Sequence, residues 1–471
     1  MPVVTGQEIL HVLVANRERS AFVTKALQSW KQFLHSQVIG SIVLLACAAL
    51  AMIWANSPWS ESYFHLLETP LSFSLGSHAF SMSLHAWVNE GLMMAFFLMI
   101  GLEVKEQVLV GELSSIKGAM LPICAALGGM IVPAMIYALM NQGGEGISGW
   151  GVPMSTDIAF ALGILALLGK RVPLSLKVFL ATLAIADDLG AILVITLFYS
   201  GQIMVGGLIV AALCWLVIFL LGRIGIYNPL LTLLLSIGVW LGFLSSGIHA
   251  TIAGVIVAIA IPARPLIDPH VVLQSIKEHL PNTQANHDVL RDKEQRESLK
   301  ELNEAMSSVA PPLVQLEANL QPLVTFIIMP LFALFNAGVV INNVGNLGSA
   351  FTSQVGLGVI LGLVIGKPLG ISLFSWLAVK IGLARLPADL RWAHLQGVSI
   401  LAGIGFTMSL FVTELAFVGN HHLAETAKLS IIVASLTAGI IGYIVLSRVT
   451  HVQQTKPVLP TINTTPITQD A

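Results

Sequence analysis

The chain has 471 residues, of which 55% are hydrophobic and only 10% are charged, and its mean hydropathy is +0.84. About a quarter of the residues in a soluble globular protein are charged. The composition therefore excludes an ordinary soluble domain and predicts an all-α polytopic membrane protein. The formal net charge of −2 gives no indication of nucleic-acid binding.

Twelve apolar stretches are candidate transmembrane helices, which need roughly 20 mostly apolar residues each. The seventh and eighth are short, and short loops join many neighbours, so that consecutive spans run antiparallel. The predicted spans are 38–55, 87–102, 118–140, 150–168, 176–199, 203–221, 229–243, 248–261, 323–340, 355–379, 395–417 and 429–446.

The lysines and arginines predict the orientation, because they accumulate in cytoplasmic loops. With the N-terminus inside, all 23 basic residues except Lys367 and Lys428 fall in inside segments. If only one of the two short spans were absent, every later span would have the opposite orientation, and its basic loops would lie outside. The distribution therefore predicts twelve spans with both termini in the cytoplasm.

The remaining segments are polar or irregular. Residues 56–86 form an outer connection whose alternation around Gly76 predicts a small hairpin on the outer face. Three cysteines in apolar runs are interpreted as small core residues. The predicted domains are a cytoplasmic N-terminal segment at 1–35 without a signal peptide, a transmembrane domain at 36–450 with a polar cytoplasmic insertion at 263–322, and a disordered tail at 451–471.

Ionisable residues inside the predicted spans are the main functional signal. Each costs roughly 2.5–3.5 kcal/mol at a helix centre on insertion scales, so such residues are few and commonly serve a pathway. A structural ion pair would need one acid and one base, whereas this set has three acids and one base. Glu90 and Glu414, nearer the span ends, can simply lie at the interface. The mid-span residues are Asp157, Asp187, Asp188 and Lys367, with Glu103 also near an end.

The adjacent Asp187 and Asp188 point about 100° apart on a helix, so they cannot line one small pocket in the same way. One can face a water-filled cavity while the other faces a partner helix. Lys367 is the expected partner, because Gly366 and Pro368 beside it allow close approach and a local bend. Such groups can exchange protons with the cytoplasm.

Two predicted spans are interrupted near their middle. Pro153 breaks the fourth span before Thr156 and Asp157, and Gly397, Gly403 and Gly405 interrupt the eleventh. Breaks at matching positions of two halves indicate an ion site, because unwound backbone offers carbonyls and half-helix ends. Either break taken alone can also reflect packing.

Spans 3–5 and 10–12 could form an inverted repeat around these breaks. Asp157 would then compensate the positive ends of the half-helices, and Lys367 the negative ends.

Seven motifs resemble the NhaA sodium/proton antiporter family, in order, over about residues 36–450. They are GLEVK (101–105), STDIAFALGILALLGKRVP (155–173), LAIADDLGAI (183–192), SGIHATIAGVIV (246–257), PLFALFNAGV (330–339), GLVIGKPLGI (362–371) and GIGFTMSLF (403–411).

The resemblance implies a role for each matching residue. Asp187 and Asp188 correspond to the aspartates where Na⁺ and protons compete, and Lys367 to the lysine that pairs with Asp187. Thr156 and Asp157 correspond to the broken helix beside that site.

The resemblance also implies a pH response near a cytoplasmic funnel, at Glu103, His249 and Glu317. For His249, a hydrogen-bonded histidine at a helix start is an equal alternative.

The chain departs from the family around the pH-response residues, where an arginine, a second glutamate and histidines are expected. These positions hold Glu106, Gln107, Ala318 and Gln321. The residues of the ion site all match the family, so the resemblance predicts transport. Because the pH-response residues differ, it does not predict the pH profile.

Three other functions use carboxylates in lipid. An intramembrane aspartyl protease would need a Gly-x-Gly-Asp motif, but threonine follows GIGF. A sodium-coupled solute symporter would need an aromatic or arginine cluster at mid-depth, and a proton-channel subunit would not need Thr156 beside a broken helix.

The expected function is a secondary active, electrogenic, pH-regulated antiporter that exports Na⁺, and Li⁺ as well, against protons for sodium and pH homeostasis. The protein is expected to be no enzyme and to need no cofactor. It should lie in the bacterial inner membrane, with a homodimer implied by the resemblance and residues 56–86 as a possible contact.

Overall fold

The structure is a computed structural model that describes residues 37–75, 78–201, 203–265, 310–341, 348 and 351–451. The segment at 1–35, the central part of the expected insertion at 266–309 and the tail at 452–471 lie outside these residues.

Helices form nearly all of the regular structure, because a helix satisfies its own backbone hydrogen bonds in an apolar surrounding. The first half contains α1 (Gln37–Ala55), α2 (Ser60–Glu68), β1 (Pro70–Leu75), β2 (His78–Ser83), α3 (Leu84–Ala86), α4 (Met93–Leu109), α5 (Ile116–Met140), α6 (Ile158–Leu167), α7 (Leu174–Phe198) and α8 (Val205–Arg223). The second half contains α9 (Pro229–Ser246), α10 (Ile252–Ala260), α11 (Pro312–Leu323), α12 (Met329–Asn336), α13 (Gln354–Leu361), α14 (Lys367–Lys380), α15 (Trp392–Leu401), α16 (Phe406–Ala416) and α17 (His421–His451).

Three pairs of these helices are continuous through a wider π-helical turn. The turns are Trp87–Leu92 between α3 and α4, Val324–Ile328 between α11 and α12, and Gly362–Gly366 between α13 and α14. Three 3-10 segments complete the helical structure, at Glu112–Ser114, Glu145–Met154 and Gly169–Arg171.

Eight helices of the described part are long and apolar enough to span a membrane, or ten if each of two bent pairs is one span. The bent pairs are Glu145–Met154 with α6, at 41°, and α15 with α16, at 48°. Both breaks predicted from the sequence, in the fourth and eleventh spans, are therefore confirmed. The other two predicted spans coincide with the interrupted α3–α4 helix and with the nine-residue α10, so the count of twelve and the inverted repeat stay predictions.

Two predicted boundaries differ from the structure. Helix α11 begins at Pro312, inside the expected polar insertion, and continues into α12 as one 25-residue candidate span, Pro312–Asn336. Helix α17 also extends beyond its predicted span at both ends. Both extensions are helix turns with polar residues, which the hydropathy of the sequence does not mark as spans.

The hairpin predicted around Gly76 is confirmed. Strands β1 and β2 pair antiparallel, from Pro70 opposite Ser83 to Leu75 opposite His78. Trp87 packs edge-on against Phe73 and Phe80, with ring centroids 5.7 and 5.8 Å apart. The hairpin is thereby attached to the start of the α3–α4 helix.

Helices α5 and α14 approach so closely that their backbones touch. A methyl group at Gly370 would lie 2.0 Å from the carbonyl oxygen of Gly128, and one at Gly128 would lie 2.2 Å from that of Gly370. Small residues permit such contact between membrane helices. Because α5 also packs against α7, this contact sets the position of Lys367, at the start of α14, relative to α7.

We expect Gly370→Ala to destabilise the protein, because the added methyl group collides with backbone that cannot rotate away. Overpacking of this kind typically costs about 1–3 kcal/mol. Gly206→Ala is the matched control, since Gly206 in α8 has open space around it. Thermal unfolding in detergent, followed by size-exclusion chromatography, should show a lower midpoint for Gly370→Ala alone. Equal midpoints for both variants would show that the close approach is not needed.

Candidate functional site

Asp187 and Asp188 lie in the middle of α7, and both are buried, with 1% and 2% of their surface exposed. The two side chains have different surroundings, as expected for adjacent residues on a helix. Asp187 faces α14 and the break beside α6, whereas Asp188 faces a cavity.

Asp187 forms a buried ion pair with Lys367. The Nζ of Lys367 donates to Oδ2 of Asp187 and to Oγ1 of Thr156. The Thr156 hydroxyl in turn lies 2.6 Å from Oδ2 of Asp187 and 3.0 Å from the carbonyl oxygen of Ala402, and its single proton can be donated to only one of them at a time. The pair is held by hydrogen bonds as well as charge, which a buried ion pair needs to offset its desolvation.

The backbone around Lys367 explains how a lysine reaches this position. The π-helical turn Gly362–Gly366 ends immediately before it, and Pro368 follows it. Proline lacks the N–H that an α-helix needs, and a wider turn accommodates that loss. The glycines and proline noted in the sequence therefore produce a local irregularity of the helix at the site.

Asp157 joins the two half-helices that begin at the breaks. Its Oδ1 accepts from the backbone N–H of Phe160 at 3.1 Å, at the start of α6. Its Oδ2 accepts from the N–H and the hydroxyl of Thr407, at 3.0 and 2.5 Å, at the start of α16. One carboxylate thus lies at the positive ends of both half-helices, where a negative charge is favourable.

The opposite ends of the breaks carry backbone carbonyl groups. The carbonyl oxygen of Ala402, after the end of α15, accepts from the Thr156 hydroxyl in one of its two possible orientations. The ammonium group of Lys367 donates to the same hydroxyl oxygen. The Thr156 hydroxyl thus lies between Lys367 and the carbonyl group at the end of α15.

Asp188 borders a cavity of about 50 Å³, which is large enough for a few water molecules. Helices α1 and α4, the π-helical turn before α12, and both broken spans line the cavity. Oδ1 of Asp188 is buried and has no hydrogen-bond partner among the described residues. A buried unpaired carboxylate oxygen beside a small cavity is a suitable ligand for a hard monovalent cation.

The other ligands of such a cation would come from few protein side chains. Within the described ranges, no group of three or more His, Cys, Asp or Glu residues is arranged to hold a metal ion. Thr156, Asp157 and Thr407 line the same cavity as Asp188 and carry side-chain oxygen atoms.

Glu103 and Glu317 come together at one end of the α3–α4 helix. Glu317, on α11, hydrogen-bonds Glu106 and lies close enough to Glu103 for electrostatic repulsion. The neighbouring Gln107 accepts from the backbone N–H of Glu112 at 3.3 Å. Glu103, Glu106 and Glu317 therefore form a group of three carboxyls.

His249 lies elsewhere. Its Nε2 is 2.9 Å from the carbonyl oxygen of Tyr199, and its Nδ1 is 3.6 Å from Oε1 of Glu90. Glu90 and Glu103 are thirteen residues apart on one helix, which corresponds to about 20 Å. The structure thus does not bring His249 to Glu103 and Glu317, and its contacts match the alternative of a hydrogen-bonded histidine at a helix start.

Some features of the site were not predicted. Thr407 belongs to the GIGFTMSLF motif, but only the fold shows that it binds Asp157. The π-helical turns were also missed, although Gly366 and Pro368 mark one of them. Ala402 contributes its backbone carbonyl group and Phe160 its backbone N–H group. A pattern of side chains in the sequence does not reveal such contributions.

The sequence is similar to those of known proteins over most of its length. Residues 31–446 match the family model described as Na⁺/H⁺ antiporter 1. The Na⁺/H⁺ antiporter NhaA of Sulfurimonas denitrificans is 45% identical over 426 residues, which covers 89% of this chain and 95% of that protein. NhaA of Helicobacter pylori strain G27 is 47% identical over 418 residues, covering 88% and 94%.

The matched region includes both broken spans, the paired aspartates of α7 and the lysine of α14. With this coverage and identity, the chain belongs to the Na⁺/H⁺ antiporter 1 family.

Proposed function

We propose that this protein is a secondary active antiporter that exports Na⁺, and Li⁺ as well, in exchange for protons. The observation that carries the proposal is the contrast between the two adjacent aspartates. Asp187 forms an ion pair with Lys367, whereas Asp188 borders a cavity and its Oδ1 has no hydrogen-bond partner among the described residues. The names of the relatives, all Na⁺/H⁺ antiporters, support the same activity.

Competition at Asp188 is the first step of the mechanism. A protonated carboxyl cannot bind a cation well, so Na⁺ and H⁺ occupy the site alternately. Li⁺ fits the same reasoning, because it is also a hard monovalent cation that prefers oxygen ligands. The threonine hydroxyls and backbone carbonyls at the breaks supply neutral oxygens that replace part of the hydration shell.

The ion pair supplies the second charge-changing group. A cation that reaches Asp187 competes with the Lys367 ammonium for the same oxygen, and a displaced lysine can release a proton from its buried position. Release of protons from both Asp188 and Lys367 for each bound Na⁺ would make exchange electrogenic. Thr156, which contacts both members of the pair, would hold them in place until the cation arrives.

Asp157 has a positioning role in this mechanism. It binds the N-termini of both half-helices by hydrogen bonds, so that the two broken spans can move as one unit around the ion site. Moving a charge-compensated unit avoids exposing unsatisfied helix ends to the apolar surroundings.

The topology and assembly belong to the same proposal. The basic residues support twelve spans with both termini in the cytoplasm. The inverted repeats with crossing breaks follow from the two broken spans, and the bacterial inner membrane location follows from the bacterial relatives. In this orientation Glu103 and Glu317 lie at the inner end and His249 at the outer end. The β1–β2 hairpin offers a strand edge through which two copies could form a homodimer. A pH response would arise at Glu103, Glu317 and His249.

Asp188→Asn should reduce exchange to background, more than about 100-fold, because the neutral amide neither binds Na⁺ strongly nor releases a proton. The measurement is sodium-dependent proton flux in proteoliposomes made from correctly folded protein. Asp389→Asn, an exposed aspartate in the loop before α15, is the matched control and should keep full activity. Sodium-dependent flux by Asp188→Asn at the wild-type rate would remove this residue from the site.

Exchange by the wild-type protein should respond to membrane potential, because more than one proton moves for each Na⁺. A potassium gradient with valinomycin imposes the potential, and an inside-negative and an inside-positive potential should change the initial rate in opposite directions. Lys367→Met is the informative variant, since it removes one proton carrier. Identical rates at both potentials would show that the exchange is electroneutral.

The apparent affinity for Na⁺ should rise with pH, because protons and Na⁺ compete at Asp188; where the carboxyl is mostly protonated, the rise approaches tenfold per pH unit. His249→Ala and Glu317→Gln should shift this profile if the expected pH-response residues act. If both keep the wild-type profile while Asp187→Glu moves it, the ion site itself is the sensor and the assignment of those residues is wrong.

A further inference from the structure

A long apolar groove opens on the side of the bundle between α1 and α17. Its volume is about 550 Å³, within the range of about 300–1,000 Å³ that is usual for a ligand pocket. Both helices contact α6, which forms part of the groove floor. All lining residues except Ser41, Ser435 and Tyr443 are apolar. Because a polar ligand would lose its contacts with water there, the lining suits a hydrocarbon chain.

The groove follows the axes of its two wall helices. On α1 the lining residues recur every three or four positions from Val38 to Met52, and on α17 they recur in the same way from Ile432 to Ile444. This spacing places them on one face of each helix. At 1.5 Å per residue the two stripes are roughly 18–21 Å long, which is more than half of a hydrocarbon core of about 30 Å. The groove is therefore long enough for an acyl chain of one leaflet.

One end of the groove carries a positive charge. Arg448 lies one helical turn beyond Ile444 on the same face of α17, and its side chain is exposed. It has no ion-pair partner within the part of the chain that the structure describes. Tyr443, in the adjoining turn, is 42% exposed, and tyrosines are common at the level of lipid headgroups. The basic residues of the chain place this end on the cytoplasmic side, where the phosphate of an inner-leaflet lipid lies.

The floor of the groove is the back of the two breaks. Phe160 on α6 and Phe406 on α16 meet edge to face there, with their ring centroids 5.3 Å apart. Their chain neighbours Ala159 and Thr407 line the small cavity beside Asp188. Consecutive residues therefore face opposite sides of one thin wall, with the groove on one side and the ion site on the other.

The walls of the groove bind the same half-helices through their serine hydroxyls. Ser41 on α1 donates to the carbonyl oxygen of Ala159 at 2.8 Å. The hydroxyl oxygen of Ser435 on α17 accepts from the backbone N–H of Phe406 at 3.2 Å. A chain that lies in the groove thus packs against both half-helices and against the two helices that bind them.

We propose that the groove binds one anionic phospholipid of the inner leaflet, with an acyl chain between α1 and α17 and its phosphate at Arg448, and that this lipid stabilises the two broken spans. The lining and length of the groove carry the choice of an acyl chain, and the unpaired arginine at its inner end carries the choice of an anionic headgroup. The inference goes beyond the proposed function, because it needs only the membrane location and the orientation of the chain.

The test uses the full-length protein, delipidated in detergent and titrated with dioleoylphosphatidylglycerol. By native mass spectrometry the wild type should retain one such lipid, and its thermal unfolding midpoint should rise by several degrees, because a ligand of the folded state stabilises it. Ala49→Trp fills the groove with a side chain and should lose both effects. Ala46→Trp is the matched control and should keep both, since Ala46 is also exposed on α1 but lies outside the groove.

A second comparison tests the position of the phosphate. Dioleoylphosphatidylcholine has the same acyl chains but no net charge, so the wild type should bind it more weakly than the phosphatidylglycerol. Arg448→Gln should weaken binding of the anionic lipid roughly five-fold, as expected for one basic residue at an anionic membrane surface, and should remove the preference between the two lipids. Arg385→Gln, at an exposed arginine in the loop before α15, should keep the preference of the wild type.

Should Ala49→Trp not fold, Ile440→Trp on the opposite wall takes its place, with Ile441→Trp as its control, because Ile441 is exposed outside the groove. Wild-type binding of phosphatidylglycerol by the groove variant would overturn the proposal, and so would an unchanged lipid preference in Arg448→Gln. A groove variant that turns a dimer into a monomer while its lipid binding stays unchanged would assign the groove to a second copy of the chain instead. Failure of the proposed function is distinguishable from these results, because neither measurement involves transport.

Discussion

The structure depends on one constraint: two helices are interrupted in the middle of an apolar bundle, and each interruption leaves polar backbone groups that water does not reach. Lipid provides no alternative partner for such groups. Asp157 satisfies the N-termini of α6 and α16, and the Thr156 hydroxyl can reach the Ala402 carbonyl on the opposite side. The same groups that stabilise the breaks are thus the polar groups available to an ion.

The ion pair of Asp187 and Lys367 lies beside these breaks, because both side chains contact Thr156. Removing one partner from a buried pair leaves an uncompensated charge, which typically costs several kcal/mol. Because Lys367 lies on α14 and Asp187 on α7, the pair also holds the two helices together across the breaks. A cation that replaces Lys367 would satisfy the same carboxylate, so exchange of partners costs less than loss of one.

The two ends of the bundle have different electrostatic character. At one end Glu103, Glu106 and Glu317 face one another, and at the other the carboxylates Glu90 and Glu414 are each matched with histidine or lysine. Repelling carboxyls favour the arrival of a proton or a cation, whereas paired groups favour a closed, ordered arrangement. The cavity beside Asp188 lies between these two ends, where the π-helical turn before α12 and both broken spans line it.

The sequence by itself determined the membrane bundle, the two breaks, the hairpin and the buried carboxylates, because apolar runs, helix-breaking residues and the cost of a charge in lipid are local properties of the chain. Because Asp187 and Asp188 are adjacent on a helix, the sequence also showed that their side chains have different surroundings. The family resemblance, rather than spacing, indicated which of them pairs with Lys367. Only the tertiary structure decided the partners of Asp157, the separation of His249 from Glu317, and the contacts of Phe411 with other phenylalanines. These depend on how each helix is rotated against its neighbours, which no single stretch of sequence encodes.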